Sequence, residues 1–154
     1  MSKLDPSAIT PKTGTRYPAP HDAPCRERQW LALGEAGGLT QFGVNLVTLK
    51  PGVWSSQRHW HAVEDELIYL LSGELVLVDD FGRQVLCPGD VAAYKGGDTN
   101  GHHLRNESGA NATFLVVGGR SDLDHGAYSD IDMVFLPGRY SGGGGYQRKD
   151  GTPI

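Results

Sequence analysis

The stretch Arg58–Gly82 reads RHWHAVEDELIYLLSGELVLVDDFG. Its two apolar runs, ELIYLL and ELVLV, are too short for buried helices, and each is bounded by turn formers: Ser72-Gly73 between them and Asp80 to Gly82 after the second. They predict two strands meeting across the Ser72-Gly73 turn. Two histidines precede them, spaced i and i+2, and a carboxylate, Glu66, opens the first strand. On an extended chain i and i+2 project to one face, so His59 and His61 point the same way. An antiparallel return sets Glu66 opposite them.

Outward from this stretch the same short rhythm repeats. RQWLALG (Arg28 to Gly34) predicts a first short strand. TQFGVNLVTLKPG alternates with period two and stops at Pro51-Gly52. RQVLCPGD, VAAYKGG, HHLRNESG and ATFLVVGG each end in Gly, Pro or Asp. No helical period survives for three turns between Thr40 and Gly119, and no tandem repeat is present. With 22 glycines and nine prolines in 154 residues, the composition also favours many strands and turns. The fold class is all-β, a sandwich or barrel over 28–137. Residues 1–27, punctuated by X-Pro steps, are expected as an extended N-terminal arm. Ile131 to Leu136 predicts one later strand able to pair with the sheet. The glycines at 142–145 make 138–154 a flexible tail.

Composition excludes several functions. The net charge is −4 and no Lys/Arg cluster tracks a phosphate backbone, so nucleic acid is not an expected partner. No apolar run is long enough to cross a bilayer, and the N-terminus lacks a secretory apolar core. Cys25 and Cys87 are far apart and form no CxxC pair, which fits two free thiols in a reducing cytoplasm. Both faces of ELIYLLSGELVLV are apolar, so the barrel interior covers one and the N-terminal arm or a second subunit the other; a homodimer is expected.

His59, His61 and Glu66 make a nitrogen/oxygen donor set, to which His102 in GHHLRN is a fourth candidate from across the barrel. Such donors suit Zn, Mn, Fe, Ni, Co or Cu as a divalent ion, with positions left for substrate. Gln57, two residues before His59, is expected to face the cavity and touch substrate, while Arg58 points away. Tyr94 is a second candidate substrate contact. Glu64 and Asp65 read as a solvated loop, Asn106 as a turn or ligand-orienting residue, and no His-Asp couple names a general base. A serine nucleophile elbow and a phosphate loop are both absent.

In this order of residues the chain resembles the cupin family. The first family motif, roughly G-x5-HxH-x3–4-E-x6-G, appears as Gly52, His59, His61, Glu66 and Gly73, with one extra residue before His59. The second appears as Gly89-Asp90, Lys95 at the usual proline, Gly97, His102 and Asn106, with four residues rather than two before His102. That fit favours His102 over its neighbour His103. The resemblance implies a double-stranded β-helix barrel, usually dimeric, with one divalent metal held by His59, His61, Glu66 and His102. It also implies lyase, isomerase or dioxygenase chemistry on a small polar metabolite. The alternative is a non-catalytic barrel that binds a small molecule for sensing.

Overall fold

The computed structural model describes residues 3–154. Its strands are β1 (Lys12–Thr13), β2 (Gln29–Leu31), β3 (Phe42–Leu49), β4 (Glu66–Ser72), β5 (Leu75–Asp79) and β6 (Gly82–Leu86). They continue with β7 (Val91–Tyr94), β8 (His103–Arg105), β9 (Ala112–Gly119), β10 (Gly126–Ala127), β11 (Val134–Phe135) and β12 (Tyr146–Gln147). Besides two single-turn 3-10 segments, the helical element is α1 (Leu33–Ala36), one turn long. Among the described residues, no helix is long and apolar enough to cross a membrane.

Two sheets carry the body of the barrel. One has the order β1-β2-β3-β9-β4-β7 and the other β6-β5-β8. Period-two alternation drives their packing: on β4, Ile68 and Leu70 point inward while Leu67, Tyr69 and Leu71 stay exposed. From β3, Val47 and Leu49 enter the core, joined by Phe114 from β9, Leu75 and Leu77 from β5, Leu86 from β6 and Leu104 from β8. Leu49, Leu70, Leu75 and Leu104 are fully buried, each contributing about 1.5–3 kcal/mol of transfer free energy. This is a double-stranded β-helix. The exposed Leu67, Tyr69 and Leu71 form the outward apolar face of β4, part of the stretch on which the homodimer expectation rests.

The predicted pairing across Ser72-Gly73 is not what forms. β4 pairs with β9 and β7, whereas β5 pairs with β6 and β8. Gly73, at φ +80°, turns the chain from one sheet into the other, and a Cβ there would meet the Ala112 Cα at 2.6 Å. Alternation announces a strand but does not name its partner.

The flanking segments are built into the structure. The expected arm contributes β1, which extends the large sheet by pairing with β2. The strand expected over Ile131 to Leu136 forms as β11, but it pairs with β10 and β12 in a third sheet rather than with the main one. β12 lies in the segment expected as a flexible tail; Tyr146 aligns with Phe135 there, and the Leu136 amide donates to the Gly145 carbonyl at 3.0 Å.

Candidate metal centre and cavity

Residues 51–65 form no regular strand, so alternation is not what aims the two histidines. Tertiary hydrogen bonds do it. His59 exchanges two backbone bonds with His102, at 3.2 and 2.9 Å, which sets their side chains beside each other. The Gly97 amide donates to the His61 carbonyl at 2.8 Å and the Ala62 amide to the His125 carbonyl at 2.8 Å, pinning the next turn. Glu66 begins β4 as expected, in register with Tyr94 of β7.

The four side chains named from the sequence come together. His59 Nε2 lies 3.1 Å from His61 Nε2, His102 Nε2 lies 3.2 Å from a Glu66 carboxylate oxygen, and His61 Nε2 lies 4.0 Å from the other. The tautomers follow from the outer partners. His59 Nδ1 is 2.8 Å from the Gln57 carbonyl, which can only accept, so Nδ1 carries the proton. His61 Nδ1 donates to Asp124 at 2.7 Å. Both Nε2 atoms therefore present lone pairs to each other across 3.1 Å, an arrangement that calls for a cation.

Donors about 2.1 Å from a common ion lie about 3 Å apart at right angles and about 4.2 Å apart when opposite, so the observed spacings fit a shared divalent ion. Burial, reinforced by the neighbouring His61 and His102, pushes His59 down to about 3 and keeps its imidazole neutral. Burial alone would raise Glu66, but the hydrogen bond from His102 and the surrounding histidines hold it at about 2. Three imidazoles and one carboxylate suit a borderline transition metal.

His103 faces another way. Its Nδ1 donates to the Ser56 carbonyl at 2.9 Å and its Nε2 accepts from Arg105 Nε at 2.9 Å, which leaves no nitrogen for an ion. Tyr94 does not line the cavity. Its ring stacks on His102 with centroids 3.4 Å apart and 3° between planes, holding an imidazole whose Nδ1 has no partner among the described residues. Gln57 also departs from its expected role: its Nε2 donates to the His21 carbonyl at 2.7 Å, so it fastens the arm instead of facing the cavity. The irregular backbone around it breaks the alternation on which that expectation stood. Asn106 bonds the Leu49 and Ala110 carbonyls and ties strands, without touching His102.

Sequence reasoning missed a carboxylate network behind His61. Asp124 is fully buried and accepts from His61 and from the amides of Val63 and Glu64. Burial favours its neutral form, but these donors hold its carboxyl below the ordinary carboxylate range. Glu64, expected in a solvated loop, is buried; Arg139 Nη2 donates to it at 2.6 Å and to Asp124 at 3.2 Å. His61, Glu64 and Asp124 thus offer three potential ligand atoms within 4.8 Å of one another. Their positive charge is already supplied by Arg139, and Asp124 is occupied by the His61 Nδ1 proton. The group therefore acts as the support that fixes the His61 tautomer and aims Nε2 forward. No motif flagged Asp124 or Arg139, which lie beyond the last periodic strand.

A cavity of about 670 Å³ opens in front of the four side chains. Ile68, Phe114 and Val116 form its apolar inner wall, Tyr128 just after β10 and Phe135 of β11 one side, and Arg16, Arg28 and Arg120 stand among its lining. The Phe135 ring packs 5.2 Å from His61 and the Tyr128 ring 5.7 Å from His59. Gly126 permits this docking, since a Cβ there would run into the Trp60 carbonyl and the Phe135 ring.

The cupin domain family model matches residues 45–118. Across 99% of this chain and 96% of the other, the fold superposes with a TM-score of 0.94 on a sugar phosphate isomerase of the cupin superfamily from Silicibacter pomeroyi DSS-3, at 47% identity. The chain belongs to the cupin superfamily. A putative sugar phosphate isomerase from Acidithiobacillus ferrooxidans is 26% identical, with a TM-score of 0.75 over 83% of this chain and 80% of that one. A predicted oxalate decarboxylase from Thermotoga maritima, 24% identical over 77% of this chain and 98% of its own, shares the fold with a TM-score of 0.63. No curated protein matches the chain.

Proposed function

We propose that this protein is a divalent-metal-dependent cupin isomerase acting on a phosphorylated sugar. The carrying observation is the pair of imidazole lone pairs facing each other across 3.1 Å, both tautomers fixed from behind, with His102 and Glu66 beside them. His59, His61, His102 and Glu66 would hold the ion. When bound, it would supply Lewis acidity toward a substrate carbonyl. The substrate class is supported by the likeness, 47% identical over nearly the whole chain, to a sugar phosphate isomerase.

The chain's own residues prepare the site. His59 stays neutral because it is buried, Asp124 orients His61, and Tyr94 holds the plane of His102. Phe114, Val116 and Phe135 keep water from the inner wall. Interconversion of an aldose and a ketose moves one proton between adjacent carbons and another between their oxygens, so it consumes neither oxidant nor reductant.

The test joins metal analysis to solvent exchange. Protein purified without added metal should carry one transition ion per chain, reduced to background in His59→Ala. A panel of phosphorylated aldoses and ketoses incubated in deuterated buffer should show deuterium entering the carbon next to the carbonyl of one member. Stoichiometric metal without exchange in any member would favour the non-catalytic binding barrel and overturn the isomerase.

A further inference from the structure

The cations around the cavity are not all matched. Lys12 pairs with Glu35 at 2.5 Å, Arg120 lies 3.8 Å from the same carboxylate, and Arg139 serves Glu64 and Asp124. Arg16 and Arg28 differ: among the described residues, no carboxylate forms an ion pair with either, although both line the cavity. Arg28 Nη1 donates to the Ser55 carbonyl at 2.7 Å and its guanidinium lies 4.8 Å over the Trp30 ring, leaving a buried Nε with no acceptor. Arg16 is exposed and makes no hydrogen bond among the described residues.

A smaller chamber of about 180 Å³ adjoins the main one and shares Arg16, Arg139, Tyr128, Phe135 and Tyr146 with it. Its remaining lining is Gly143, Gly144 and Gly145, which present backbone alone. Tyr146, whose phenol burial raises, lines both chambers together with Arg16 and Arg139, while Arg28 lines the larger one. Such a place, positive, lined by O–H and N–H donors and short of counter-charge, suits a dianion better than a neutral group.

We infer that the mouth where the two chambers meet is a phosphoryl subsite, in which the Arg16 and Arg28 guanidiniums and the Tyr146 hydroxyl hold the phosphate of the substrate. This deepens the isomerase reading by naming the anchor that leaves the sugar carbons pointing inward to the four histidine and glutamate side chains. Guanidiniums match phosphate oxygens through paired N–H donors. Both arginines come from the N-terminal part of the chain, one from the expected arm and one just ahead of β2, so that region builds the site as well as extending the sheet.

Titration of the full chain with inorganic phosphate, followed by calorimetry and phosphorus NMR, tests this apart from catalysis. Wild type should bind saturably, and Arg16→Gln and Arg28→Gln should each weaken binding at least tenfold. Wild type stripped of metal with a chelator should bind phosphate as the untreated protein does, which removes direct coordination to an ion as the explanation. A phosphorylated sugar should compete and its unphosphorylated counterpart should not. Arg16 makes no hydrogen bond among the described residues, so its replacement leaves no described partner unpaired. Absent saturable binding in wild type, unchanged binding in both arginine variants, loss of binding in the chelator-treated protein, or equal competition by the unphosphorylated sugar would each overturn the subsite. Should no sugar phosphate exchange deuterium while the arginine variants still lose phosphate, the isomerase reading fails and the subsite stands.

Discussion

Two regions meet at the cavity, and they are built on different logic. The barrel wall carries His59, His61, Glu66 and His102 in spaced motifs, and its strands announce themselves by alternation. The segment over 122–147 has no motif and only the one strand expected over Ile131 to Leu136, yet it supplies Asp124, Tyr128, Phe135 and Arg139, which aim one histidine and wall the cavity. The wall presents the donor atoms; the flank decides how they point and what can approach them. An orienting carboxylate has only to be near in space, so nothing obliges it to be near in sequence.

The largest test of this division is the pair of adjacent histidines. His102→Ala should empty the metal site, whereas His103→Ala should keep stoichiometric metal and instead lower the melting temperature, since it strands Arg105 Nε and the Ser56 carbonyl. Metal analysis and a thermal scan of both variants decide it; equal metal loss in the two would erase the distinction.

Asp124→Asn strikes the flank instead. It should weaken metal affinity by roughly 10–100-fold while leaving all four proposed ligands in place, as read by competition with a chelator. The Asp124 carboxyl is held below its ordinary range, so its stabilising contribution is present at neutral pH and is lost as pH falls below about 4 and through the lowered value. The acid limb of a stability curve should therefore be shallower in the Asn variant. A limb of unchanged slope would mean that the network does not orient His61.

A smaller effect should follow from Gly126→Ala, which pushes the flank away from the wall. A clash with the Trp60 carbonyl and the Phe135 ring should cost about 1–3 kcal/mol in denaturant melts, with metal retained more weakly. The mildest contrast concerns the thiols. Cys25 is buried and pushed up to about 11 by that burial, whereas Cys87 is exposed. A thiol reagent at pH 8 should label one cysteine in the native protein and both after unfolding.

What could be read in advance had a local signature. Glu66 at the head of β4, the inward Ile68 and Leu70, and the ends of β3, β6 and β9 all follow from alternation broken by glycine and proline. The spacing of His59, His61, Glu66 and His102 was likewise legible as a donor set, because ligands to one ion must be held at fixed offsets along neighbouring segments. Gln57 and Tyr94 were placed by extending alternation through an irregular loop and by residue type. Neither rule senses that a side chain has been captured by the arm or by a ring stack.

The amino-acid sequence by itself determined the class of fold and the four converging side chains, since period two and motif spacing act over a few residues. Tertiary structure alone decided that β4 and β5 part into different sheets, that Asp124 and Arg139 reach His61 from beyond the barrel, and that Arg16 and Arg28 line the cavity with no carboxylate paired to them among the described residues. Those outcomes depend on which distant backbones pair and on where charge is left uncompensated after packing, quantities that no local pattern encodes.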